Sequence, residues 1–391
     1  MRAVARMMLA FLLALPTLAG ASELRGTGNL GVVVERAAGS LVIVDTTRRQ
    51  AIGRVEGLGD LSHASAVFSP DQRYVFVFGR DGGLTKVDLL TASIAKRIVQ
   101  AGNSIGGAIS DDGALVAVSN YEPGGVRVFA ADTLEPVTNI AAIGADGKSS
   151  KTVGLVDLPG RRFAFALYDA GEIWVVDLSV PRAPTIEKLT GVGKLPYDGN
   201  VTPDGRHYLA GLFGEDGVVH VDIWQAPLKA ERILDRYGRG EEGLPVYKMP
   251  HLEGWAAVGD KLLLPAVGRH ELIAVDARSF AEVGRVATHG PPVFAVARPD
   301  GRHVWVNFAH PKNDTIDVVD VQTLKLVHRF APGPAVLHME FTPRGNEVWV
   351  SVRDADRIDV YDTTTFARKA EIPAQKPSGI FFTARATRIG Q

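Results

Sequence analysis

Apolar and polar positions alternate along short runs of this chain. In "RYVFVFG" (73–79) and "EVWVSVR" (347–353), side chains must switch faces at every residue, the pattern of a β-strand. Each run follows an apolar segment and a turn of the Asp-Gly kind. A loose loop comes next, then a strand ending near Val-Asp. "FSPDQRYVFVFGRDGGLTKVDL" repeats in outline as "ISDDGALVAVSNYEPGGVRVFA", "VDLPGRRFAFALYDAGEIWVVDL" and "VTPDGRHYLAGLFGEDGVVHVDI". Further copies are "AAVGDKLLLPAVGRHELIAVDA", "ARPDGRHVWVNFAHPKNDTIDVVDV" and "FTPRGNEVWVSVRDADRIDVYDT". The third strands end at Asp45, Asp88, Ala130, Asp177, Asp222, Asp276, Asp320 and Asp362, a period of roughly 42 to 54 residues that suits four-stranded propeller blades. The Asp-Gly turns supply the positive φ of tight hairpins. Long helical patterns are absent.

Near the start, "GNLGVVVERAAGSLVIVDTTRRQAI" has the later strands of a blade and no first strand. Near the end, "KPSGIFFTARA" reads as a first strand alone. Joined, they complete a blade and hide two sheet edges. The expectation is an all-β, eight-bladed propeller of four-stranded antiparallel blades, closed by strands from both ends of the chain. Seven blades is the alternative, because the repeat from Trp224 to Asp276 is long enough to contain an insertion.

The first residues change the picture of where the protein works. Arg2 and Arg6 precede the apolar "MMLAFLLALPTLAG", and Ala19 and Ala21 are the small residues of a cleavage site. Residues 1–21 read as a cleaved signal peptide and 22–391 as one propeller domain, soluble in the periplasm without a membrane anchor. The chain has no cysteine, which excludes thiol chemistry, Cys-based zinc sites and covalent c-type haem. With 43 basic and 44 acidic residues and no long basic run, nucleic-acid binding is not expected.

First strands line the channel of a propeller, and the loops that enter them form one rim of its funnel. His63, Ser104, Lys151, Tyr197, His251, Pro292, His338 and Lys376 stand at those positions. Arg80, Arg127, Lys151, Lys194, Arg269 and Arg353 lie in or near loops that could face the same funnel. Any one of them is equally an ordinary surface or core group; their convergence is the signal. Imidazoles ringed by cations suit a flat anionic ligand, and a porphyrin-like ring fits well: histidine ligates iron while arginine and lysine hold carboxylates. No G-x-S-x-G elbow or H-E-x-x-H pair occurs. "GTGNLG" precedes the first blade and does not join a strand to a helix, so it is not a dinucleotide fingerprint. His207 and His220 read as far apart on outer strands. Asp60, Asp157, Asp198 and Glu253 read as scattered turn residues, which disfavours a metal-dependent hydrolase or lyase.

The stretch "LSHASAVFSPDQRYVFVFGRDGGLTKVDL" (61–89) resembles the haem d1 propeller domain of cytochrome cd1 nitrite reductase, as do "KLPYDGNVTPDGRHYLAG" and "KMPHLEGW". Without a c-haem domain, the chain is similar to the NirF family of haem d1 biosynthesis proteins over essentially its whole mature length. The resemblance implies a role late in haem d1 assembly, with haem d1 or a late precursor bound non-covalently. His63 falls near the proximal iron-ligand position. His251 matches one of two distal histidines of the reductase, and Tyr197 stands at the other. His63, Tyr197 and His251 are then the candidate catalytic groups, joined by Arg80, Lys151 and His338 as ring-binding residues, with His63 on the iron. Two activities remain open: dehydrogenation of the precursor, and carriage of the ring to nitrite reductase or other maturation proteins. A generic periplasmic binding propeller is the third reading.

Overall fold

The structure is a computed structural model that describes residues 26–236, 254–388 and 390. The expected signal peptide, His251 and Glu253 lie outside the described residues. The described residues form eight four-stranded antiparallel sheets. Seven run outward in chain order. Their inner strands are β4 (Ser65–Phe68), β8 (Asn103–Ile109), β12 (Thr152–Leu158), β16 (Pro196–Val201), β20 (Ala256–Val258), β24 (Pro292–Ala297) and β28 (Val336–Phe341). The remaining sheet joins both chain ends: β32 (Pro377–Phe382) lies inside β1 (Leu30–Glu35), β2 (Ser40–Asp45) and β3 (Gln50–Val55). This is the eight-bladed propeller expected from the repeats, and the seven-bladed alternative falls. We number this closing blade 1 and the blades opening with β4 to β28 as 2 to 8.

The alternation seen in the sequence does not divide core from solvent. It divides one inter-blade core from the next. In β5 (Tyr74–Phe78), Val75 and Val77 pack with Val32 and Ile43 of blade 1, while Phe76 and Phe78 pack with Val116 and Phe129 of blade 3. In β29 (Glu347–Val352), Val348 and Val350 face Trp305 of blade 7 and Trp349 faces Val42 and Phe382 of blade 1. Strands buried on both faces therefore read as nearly continuous apolar runs, and the outermost strands carry the charge.

The recurring aspartate at the end of each third strand has a local cause. Asp88 Oδ1 accepts from the backbone N–H groups of Leu90 and Thr91, and Asp320 Oδ1 from those of Gln322 and Thr323. Asp45, Asp276 and Asp362 do the same. The carboxylate organises the turn into the fourth strand by satisfying donors that would otherwise be unpaired.

Past β32 the chain turns through Thr383–Thr387 and runs beneath the exits of the inner strands. Arg385 Nη2 donates to Glu340 Oε2 at 2.6 Å, and the Gly390 N–H to Asp157 Oδ1 at 2.9 Å. Asp157 lies on β12 and is buried, so the sequence reading of it as a turn residue is wrong. Burial raises its carboxyl to about 7; the nearby Asp111 adds to the rise and the Gly390 N–H opposes it. A raised carboxyl contributes stability below its unfolded value near 4 and loses it as pH climbs through 7. Replacing Asp157 with Asn keeps the acceptor and removes the charge. Thermal unfolding of Asp157→Asn should match wild type at pH 4 and exceed it by roughly 4 kcal/mol at pH 8. Equal stability at both pH values would contradict this.

Candidate functional site

The start of a first strand and the end of a second strand share one end of an antiparallel blade. At this end four consecutive blades bring aromatic and cationic side chains together. Tyr121 is the penultimate residue of the second strand of blade 3, Tyr168 follows that of blade 4, and Phe213 follows that of blade 5. Tyr197 lies at the head of β16. Its ring stacks on Phe213 (centroids 4.1 Å) and meets Tyr168 edge-on (5.8 Å). Its hydroxyl is 2.9 Å from that of Tyr121. The Arg80 guanidinium of blade 2 sits over the Tyr121 ring at 5.6 Å. The Lys151 ammonium sits 5.5 Å from the Tyr168 centroid and 3.1 Å from Asp169 Oδ1. Tyr121 and Tyr197 belong to blades that are not neighbours, so their contact spans the face of blade 4 at the channel mouth.

Burial pushes both phenols above their ordinary range, and the Asp198 carboxylate adds to it. They are protonated donors at neutral pH, not bases. Asp198 lies on the inner strand with φ +50°, inside a bulge between Tyr197 and Asn200, and is not the turn residue expected. Bulges recur near the heads of β8, β12, β24 and β28. An extra residue there breaks the strict face alternation and re-aims the inner-strand side chains.

Gly154 makes this packing possible. Its φ is +59°, and a Cβ would overlap the Asp198 carbonyl on the neighbouring inner strand; Gly199 is equally tight against the Gly154 carbonyl. Gly154→Ala should cost about 3 kcal/mol in unfolding free energy through strain and overpacking. It should also move the Tyr197 aromatic signals in near-UV circular dichroism. An unchanged melting temperature would refute the close approach.

His63 is exposed, two residues before β4. Beside it the Arg36 side chain donates to the Ser62 carbonyl. Burial lowers the Arg36 pKa and the Arg353 cation lowers it further, so two positive groups are held close on this mouth. Arg353 also pairs with Asp354 at 2.9 Å. Lys376 precedes β32 and Pro292 opens β24. Ser104 is buried on β8, its Oγ donating to the Gly79 carbonyl at 2.6 Å. Lys194 and Arg269 are exposed on loops of the same end. His338 sits within β28, between Phe294 (5.5 Å) and Phe381 (5.6 Å). Its Nδ1 accepts from the Ile380 N–H at 3.2 Å, so Nε2 carries the proton. Burial, with the Arg385 cation adding to it, pushes its pKa down to about 3. It is a neutral donor, and in this tautomer neither ring nitrogen is free to ligate a metal.

Two further expectations fail. Arg127 lies within a third strand (Val126–Ala130) and lines a groove of about 480 Å³ between the outer strands of blades 2 and 3, with Ile98, Val99 and Thr138. His207 and His220 are not far apart. Antiparallel pairing of the second and third strands of blade 5 sets His207 Nδ1 2.8 Å from His220 Nε2, packed on Phe280. Burial lowers the pKa of both. Among the described residues no group of three or more His, Asp or Glu is placed to hold a metal ion. No helix among them is long and apolar enough to cross a membrane.

Tyr121, Tyr168, Phe213 and Arg36 were not anticipated. A signal for the first three exists: "SNYEPGG", "ALYDAG" and "GLFGEDG" put an aromatic at one position of three successive repeats.

Residues 25–386 match the model of the cytochrome D1 heme domain family. Protein NirF of Pseudomonas aeruginosa is 55% identical over 97% of this chain and 98% of its own. Protein NirF of Stutzerimonas stutzeri is 55% identical over 94% of each. Among solved structures, dihydro-heme d1 dehydrogenase NirN in complex with DHE superposes with a TM-score of 0.81 at 28% identity, covering 95% of this chain and 79% of that one. A propeller matched across its length to that domain, and to these relatives above half identity, belongs to the NirF family of cytochrome d1 haem domain proteins.

Proposed function

We propose that this protein binds a d1-type tetrapyrrole in the funnel mouth between His63 and the Tyr197 wall, and acts on it late in haem d1 biosynthesis. The observation that carries the reading is the shared mouth: one exposed imidazole, a wall of three phenols and a phenyl ring, and cations from several blades. The donor set suits such a ring. His63 is the candidate iron ligand, the aromatic wall offers apolar surface with Arg80 held over its Tyr121 ring, and Lys151, Arg36 and Arg353 match peripheral carboxylates. Of the buried polar side-chain atoms without a hydrogen-bond partner among the described residues, Ser65 Oγ, Asn103 Oδ1 and Trp255 Nε1 stand at the heads of inner strands, while His303 Nδ1, Trp305 Nε1 and Trp349 Nε1 lie on second strands. Buried polar atoms of that kind call for a ligand or water. The related NirN structure is a complex with DHE, which supports the choice of ligand class.

The reaction in this reading is dehydrogenation of the precursor or a side chain of it, with two electrons passing to an external acceptor and two protons to that acceptor or to solvent. The phenols bind and orient. A carrier that only delivers the ring, to nitrite reductase or a maturation partner in the periplasm, needs the same pocket. The first test titrates purified protein with haem d1, dihydro-haem d1 and haem b, followed by visible absorption. Selective binding of the d1-type rings is expected; equal or absent binding of all three would sink the reading. Incubation with dihydro-haem d1 and a dye acceptor separates the two roles: dye reduction marks the enzyme, and binding without reduction the carrier.

A further inference from the structure

We propose that Tyr121, with Arg80 behind it, is a positioning residue that makes the Tyr197 phenol a single hydrogen-bond donor to a carboxylate of the bound ring. This rests on the ring-binding reading above and adds a residue that neither the repeats nor the comparisons assign.

Two protonated phenols hold two donor protons. At 2.9 Å the Tyr121 and Tyr197 oxygens share one of them. One donor is left over. Which oxygen keeps it is decided by the cation: the Arg80 guanidinium over the Tyr121 ring draws charge from that ring and makes its hydroxyl the stronger acid. Tyr121 therefore donates inward and the Tyr197 O–H points away from it. The Tyr197 ring cannot swing, because Phe213 stacks on one face and Tyr168 abuts it. Its hydroxyl has only its own torsion to adjust, and the Tyr121 contact sets that torsion.

The pair meets at the channel mouth, next to the Lys151 ammonium beside Tyr168. A single fixed donor with the Lys151–Asp169 pair on one side and the Arg80 guanidinium behind it matches a carboxylate, which accepts several hydrogen bonds and carries charge. Burial keeps both phenols protonated at neutral pH, so the donor persists there.

The test compares haem d1 with its methyl ester as probes, titrated against wild type, Tyr121→Phe, Tyr197→Phe, the double variant and Arg80→Gln. For the free acid, Tyr197→Phe should weaken binding about tenfold and Tyr121→Phe about fivefold. The double variant should lose no more than Tyr197→Phe alone, because the two hydroxyls act as one unit. On the ester, each loss should shrink below about twofold. Arg80→Gln, which leaves the phenols intact, should show the same acid-over-ester difference at smaller size. Unchanged affinity of Tyr121→Phe for the acid overturns the proposal. So does an equal loss on acid and ester, which is what a purely structural role would give. Failure of wild type to bind either probe removes the ring-binding reading itself, and this inference with it.

Discussion

Truncation before Pro377 should leave a chain that does not fold to a monomer. Residues 377–382 are the inner strand of blade 1, and without them β1 has an open edge facing the channel. Gly31, Val32 and Val33 pair with Phe382, Phe381 and Ile380. Gly31 is a glycine because the Phe382 ring occupies the space a Cβ would need. Thr383 Oγ1 ties the end of the strand to the carbonyls of Thr27 and Leu30 at 2.8 and 3.1 Å. Ile380, Phe381 and Phe382 are all buried. At about 1.5–3 kcal/mol for each large apolar side chain, their loss removes roughly 5–9 kcal/mol, against a total stability of about 5–15 kcal/mol for a typical domain. Exposed edges on β1 and on the neighbouring blades would then promote association. Size-exclusion chromatography and thermal melting check this. A monomeric truncated protein with a cooperative transition would contradict the closure described here.

The second large effect falls on ligand affinity. His63→Ala should weaken haem d1 binding about 100-fold and abolish the absorption change that accompanies ligation, since loss of a direct ligand exceeds the 10–100-fold typical of residues one shell further out. Stability should change by no more than about 0.5 kcal/mol, because the side chain is exposed in a loop outside any strand. Visible titration and a melting curve on the same sample separate the two. Wild-type affinity with an unchanged spectrum would move the iron ligand elsewhere, and His251 would be next to replace.

What the sequence made legible follows the reach of each interaction. The aspartates that end the third strands act on backbone two and three residues away, so a short repeat displays them fully. The blade count and the closure by both chain ends were legible for the same reason: each blade is a local unit. His63 and Tyr197 were legible as residues at strand heads. The Tyr121–Tyr197 contact was not, because it links blades 3 and 5 across a third. A period says which position recurs, not which side chains meet over the channel. Asp157 and Asp198 were misread for another reason. Asp157 lies near the end of β12, just ahead of the Pro159–Gly160 turn, so the sequence groups it with the turn, while Asp198 sits in the bulge of β16, where a one-residue shift of register exchanges faces. Arg127 failed through the same ambiguity, since its strand presents one side to the outer groove. The His207–His220 pair was missed because spacing along the chain was taken for spacing in the sheet.

The closing blade also governs the order in which the molecule can be built. The hydrogen bond from Thr383 to Leu30 joins residues 353 positions apart. Every other blade is completed within a few dozen residues, so seven can pair their own strands while the chain is still growing. Blade 1 waits for the last strand. Its formation is the pairing of highest sequence separation, and such contacts come late because loop-closure entropy opposes them until the rest is in place. The penultimate species is then an open arc of formed blades with bare flanks, which is the form most exposed to aggregation and to proteases. Yield of this protein should depend less on how fast its blades fold than on how long that arc persists.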